Sequence, residues 1–127
     1  MLTTRLAAVF IGAGIGGCAR YTLSLALNPL LVGLPLGTLV ANLLGGYLAG
    51  LAAGYFLFAA QLPEEWRLLA MTGFLGGLTT FSAFSVEMVA LLQAGRTGLA
   101  LGGIALHVGG SLALTALGLL SVRALVH

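Results

Sequence analysis

Apolar residues fill this chain in four long stretches, at about 5–27, 34–58, 67–92 and 99–126, with only short polar interruptions between them. About 20 apolar residues span a bilayer, so the pattern predicts four membrane helices and leaves no room for a separate soluble domain. Asn28-Pro29 ends the first stretch, Gly33-Leu34-Pro35 opens the second, Pro63 to Arg67 separates the second from the third, and Gln93 to Gly98 precedes the fourth. The reading is an all-α membrane protein, one unit over residues 1–127.

Within the spans the small and polar residues fall into rows. Ala8, Gly12 and Gly16 recur every four positions in the first span, with Arg20 on the same side. Gly46, Gly50 and Gly54 make a second ridge, next to a stripe of Thr38, Asn42, Gly45 and Ala49. In the fourth span His107, Ser111 and Thr115 repeat at the same interval, as a polar path or as a hydrogen-bonded seam between helices. Asn42 offers an amide for an interhelical hydrogen bond or for an anion.

The third stretch departs from this regularity. Residues 73–87 read GFLGGLTTFSAFSVE. Glycines at 73, 76 and 77 weaken the helix, and the hydroxyls of Thr79 and Thr80 compete for backbone groups. Glycines alone equally suit a tightly packed helix, but the Thr-Thr-Phe-Ser run that follows favours a helix broken near its middle. Backbone unwound at bilayer depth survives only where it is buried in protein, lines a wet cavity or holds an ion. Phe81 and Phe84, three apart, share one face that Glu87 continues. Glu87 reads as an ion or proton group, or as the buried partner of Arg20, which otherwise snorkels to the interface or pairs with an acceptor at the break.

Composition then excludes several classes. The 127 residues are 60% hydrophobic and only 6% charged, with a mean hydropathy of +1.14. The charge of +2 comes from five arginines, scattered singly, against three glutamates, which offers nucleic acid no basic face. With no aspartate, one cysteine (Cys18) and two distant histidines (His107, His127), neither a metal cluster nor a nucleophile–base pair is suggested, and an enzyme is not expected. Arg5, Arg67 and Arg123 would share one side of the membrane, against Arg96 and a snorkelling Arg20. That bias is weak enough for insertion in both orientations, which points to an antiparallel homodimer. Hydroxyls, the Asn42 amide and the positive edges of the phenyl rings would face an anion, while carbonyls freed at the break would suit a hard cation such as Na+.

Three runs, GFLGGLTTFSAFSVE, PLGTLVANLLG at 35–45 and the Gly-x-x-Ala-Arg-Tyr of the first span, together resemble the Fluc (CrcB) family of bacterial fluoride channels, across essentially the whole chain. The resemblance implies a passive, fluoride-selective channel of the bacterial inner membrane. It would be a dual-topology antiparallel homodimer with two pores that lets accumulated cytoplasmic fluoride leave. It implies a structural Na+ at the dimer axis held by the main-chain carbonyls of Gly76 and Thr79. The pore would be lined by Phe81, Phe84, Asn42, Ser82, Ser111 and Thr115, with Thr38 on the Asn42 stripe. Arg20 and Glu87 match characteristic charged positions and are a possible structural charge pair. Ala83 stands where many members carry threonine, and His107 receives no role. A small proton-coupled multidrug exporter is also a four-span dual-topology dimer, but it depends on a carboxylate in the first span, where this chain has Arg20. A non-transporting assembly subunit is a third class.

Overall fold

The computed structural model describes residues 1–126, and His127 lies outside them. Four helices are long and apolar enough to cross a membrane, and the described residues contain no strand. Helix α1 is Leu2–Leu27 and α2 is Leu36–Phe58. Helix α3, residues 64–78, runs from Glu64–Arg67 through a π-helical stretch Leu68–Leu75 into Gly76–Leu78. Helix α4 is Phe81–Gln93. Helix α5, Thr97–Val126, also contains a wide π segment, Leu106–Gly110. These bounds extend the predicted third span three residues earlier, because Glu64 and Glu65 open the helix behind Pro63, where acidic groups suit the positive end of the dipole. There Arg67 holds the Glu64 carboxylate with a 2.6 Å bond.

The ends are closed by local chemistry. Asn28 Oδ1 accepts the Gly37 N–H at 2.7 Å, so the residue that ends α1 also caps α2. Helix α4 stops in a Schellman arrangement: Gly95 takes φ +77°, its N–H bonds to Leu92 O at 3.1 Å, and Arg96 N–H bonds to Leu91 O at 2.9 Å.

Helix pairs meet through their glycines. Helix α1 lies on α3, where a Cβ added to Gly12 would strike Leu69 O and one added to Gly16 would strike Phe74 O. Helix α2 lies on the second half of α5, where Gly50 faces Thr115 O and Gly118 faces Tyr47 O. Gly12, Gly16, Gly46 and Gly50 of the predicted ridges are therefore spent within the chain on contact with a neighbouring backbone, while Gly54 meets the Val122 side chain. Dispersion favours such close contact in a membrane because lipid offers no hydrophobic drive. Two apolar clusters flank the middle. Leu34, Leu39, Phe84, Met88, Leu91 and Ala100 join α2, α4 and α5 with the loop before α2, and Ala41, Leu75 and Leu78 join α2 to α3.

Methyl groups should therefore be refused at the seams. Gly16→Ala and Gly50→Ala are each expected to cost at least about 1–3 kcal/mol, as overpacking does. Gly98→Ala, which meets nothing within 4 Å, should be silent in the same thermal-unfolding assay in detergent.

Candidate functional site

Between α3 and α4 stand two residues with extended backbone, Thr79 (φ −88°, ψ 158°) and Thr80 (φ −151°, ψ 121°). A helix continuing through them would hand the Thr80 N–H to Gly76 O, the Phe81 N–H to Gly77 O and the Ala83 N–H to Thr79 O. Other partners are in place instead. Thr80 N–H donates to Asn42 Oδ1 at 2.8 Å, while Asn42 Nδ2 donates back to Thr80 O at 3.0 Å. Ala83 N–H donates to Thr80 Oγ1 at 3.0 Å, which makes Thr80 the N-cap of α4. Arg20 Nε donates to Gly77 O at 3.2 Å. Thr79 closes α3 by donating both its N–H (3.0 Å) and its hydroxyl (2.8 Å) to Leu75 O.

Arg20 and Glu87 are thus not a pair within this chain. Among the described residues the ion pairs are Arg5–Glu65 and Arg67–Glu64. Arg20 serves the backbone acceptor at Gly77, the second of its predicted roles, and Glu87 Oε2 accepts the Thr38 hydroxyl at 2.6 Å. The reason is one of elements: α1 packs on α3 and never reaches the face of α4 that carries Glu87, which looks to α2.

Beside the two extended residues is an open cleft of about 360 Å³ lined by Asn42, Thr79, Thr80, Phe81, Phe84, His107 and Ser111 among others. The two phenyl rings meet edge to face, with centroids 5.5 Å apart and planes at 68°. Their shared face does not give them shared surroundings. Phe84 is 7% exposed and belongs to the core, while Phe81 is 76% exposed and stands at the outer lip. Behind Phe84 lies His107, 3% exposed, its ring centroid 4.5 Å away. His107 Nδ1 is 3.0 Å from Asn42 Nδ2. Thr115 donates to Gly46 O at 2.9 Å, so that step of the polar row is an interhelical seam, while Ser111 lines the cleft. Ser82 is exposed, 3.4 Å from the Thr80 hydroxyl. Thr38, on the Asn42 stripe, is buried with Glu87 and does not line the cleft.

Sequence reasoning put His107 in a polar row but gave it no role, since its neighbours are distant in sequence, and it missed the Thr80 cap, which a Thr ahead of Phe81–Gln93 signals. The two π segments left no local signal. Gly76 is exposed and Thr79 half-buried, and the amides that would saturate their carbonyls are engaged elsewhere. Two oxygens so freed fit a hard cation, which takes oxygen ligands. No group of three or more His, Cys, Asp or Glu gathers among the described residues.

The family described as CrcB-like protein, Camphor Resistance (CrcB), matches residues 7–119. The chain belongs to the CrcB family. Relatives include a protein of Pseudomonas paraeruginosa (strain DSM 24068 / PA7), 57% identical over 116 residues and 91% of each chain. Another, from Burkholderia cenocepacia (strain ATCC BAA-245 and synonyms), is 55% identical over 119 residues, 94% of this chain and 93% of its own. Both are named fluoride-specific ion channel FluC, a channel's name and not an enzyme's. This CrcB chain is accordingly a multi-pass membrane protein.

Replacing Asn42 by Ala strips the Thr80 N–H and C=O of their partners at once. The variant is expected to lose about 1–3 kcal/mol for each buried group left unpaired, read as a lower midpoint of thermal unfolding in detergent.

Proposed function

We propose that this protein is a passive, fluoride-selective channel of the bacterial inner membrane, through which accumulated cytoplasmic fluoride leaves. The likeness to fluoride-specific channels over more than nine-tenths of the chain supports the ion. The observation that carries the reading is the cleft itself, where an aromatic edge pair and hydroxyls converge beside two non-helical residues. Ring edges carry positive potential, and hydroxyls donate, so an anion meets favourable but weak contacts, as conduction requires. No arginine lines the cleft to trap it.

The working unit, in this reading, is an antiparallel homodimer with two pores, its third span interrupted at bilayer depth. The 76% exposure of Phe81 supports a second copy: a pore needs walls all round, and one chain leaves that ring uncovered. The Gly76 and Thr79 carbonyls of both copies would hold a structural Na+ at the axis. Bound there, the ion supplies positive charge that satisfies carbonyls released from helical bonding. Asn42, Thr80 and Arg20 do the remaining work from within the chain, by holding the neighbouring backbone groups in place.

Purified protein in liposomes should release fluoride at least about tenfold faster than chloride, a difference of about 1.4 kcal/mol. Phe81→Ile should slow that release by a similar factor without lowering thermal stability, since Phe81 packs little within the chain. Equal chloride and fluoride leakage, or uptake of a lipophilic cation driven by a pH gradient, would sink the proposal.

A further inference from the structure

The Asn42 amide is fully committed. Its orientation is set by Thr80, whose N–H needs the amide oxygen and whose C=O needs the amide NH2, so oxygen and nitrogen cannot be exchanged. One Nδ2 hydrogen goes to Thr80 O, and the second points at His107 Nδ1, 3.0 Å away. An amide NH2 only donates, so Nδ1 must accept. The imidazole is then neutral with its proton on Nε2, a buried atom without a partner among the described residues. Phe84, whose ring lies 4.5 Å from the imidazole and tilted 35° to it, limits how far the imidazole can swing away.

We propose that His107 is a positioning residue for Asn42: as the neutral Nε2–H tautomer it holds the amide at the cleft, and protonation of its Nδ1 releases it. An imidazolium presents N–H to N–H, and the bond to Asn42 is lost. Little else in the surroundings titrates. His107 is the one ionisable side chain lining the cleft among the described residues. On α4, Glu87 accepts from Thr38 through Oε2 and keeps a buried Oε1 without a partner among the described residues, on α1 Arg20 is engaged by Gly77 O, and on α2 Tyr47 bonds to Ser121 on α5. No titratable side chain of α3 lines the cleft. Glu87 does not line the cleft, so the switch at Asn42 is one proton on the His107 ring, and His107→Asn separates it from any titration of Glu87.

The conduction arm of the test rests on the fluoride-channel reading, and the spectroscopic arm does not. Nitrogen-15 NMR of histidine-labelled protein in bilayers at neutral pH should show His107 with Nδ1 bare and Nε2 protonated, and Asn42→Ala should turn that into a mixture of tautomers. A proton on Nδ1 at neutral pH would overturn the proposal. In liposomes, with protein-free vesicles subtracting the leak of the neutral acid HF, efflux by the natural protein should fall about three- to tenfold on acidification, the worth of one hydrogen bond. His107→Phe keeps the ring and loses the acceptor, so it should be slow at every pH. His107→Asn restores an acceptor that does not titrate, so it should recover most of that loss and flatten the profile. Identical pH profiles for the natural protein and His107→Asn would also overturn the proposal. Absence of any fluoride efflux, with the tautomer as expected, would discard the channel reading and uphold the His107–Asn42 assignment.

Discussion

The carboxamide of Asn42 gives Thr80 what a neighbouring turn of helix would otherwise give, an acceptor for its N–H at 2.8 Å and a donor for its C=O at 3.0 Å. In an apolar setting an unpaired peptide group costs several kcal/mol, so the two extended residues between α3 and α4 depend on such a substitute. Everything else at the site follows from it. With the Thr80 peptide satisfied sideways, its hydroxyl is free to cap α4, and the new helix starts in the direction that sets Phe84 into the core and Phe81 at the lip. Arg20 completes the arrangement from the other flank by taking the next loose carbonyl, Gly77 O.

Much of the architecture was legible in the hydropathy pattern, because a bilayer asks little of a span beyond length and apolarity. The four stretches fall where four membrane-length helices stand, with ends shifted by a few residues where Pro63 and the two glutamates begin α3 early. The glycine ridges were legible as packing faces, since four-residue spacing can only produce a flat strip on a helix. What spacing could not say was which helix each strip would meet.

The site was legible in its residue types and less so in its partners. Asn42 stood out because an amide in a membrane helix needs hydrogen-bond partners, yet no local rule points from residue 42 to residues 80 and 107. The amide proves to be saturated by those two, so its expected freedom to face an anion is not what its geometry displays. Charge alone allowed Arg20 and Glu87 to pair, as one of several readings, whereas each is served by a neutral oxygen, a carbonyl and a hydroxyl. Shared helical face likewise failed to predict shared burial for Phe81 and Phe84, because one turn along α4 is enough to pass from the core to its rim.

The seams at Gly12, Gly16, Gly50 and Gly118 have one more consequence. Where the main chains of two helices touch, the distance between their axes is set by backbone and cannot shrink further. The α1–α3 and α2–α5 pairs are therefore held at the closest spacing their backbones allow. Any conduit framed by them takes its bore from covalent geometry more than from the wandering of rotamers, which gives a small ion a doorway of fixed gauge and needs no hinge.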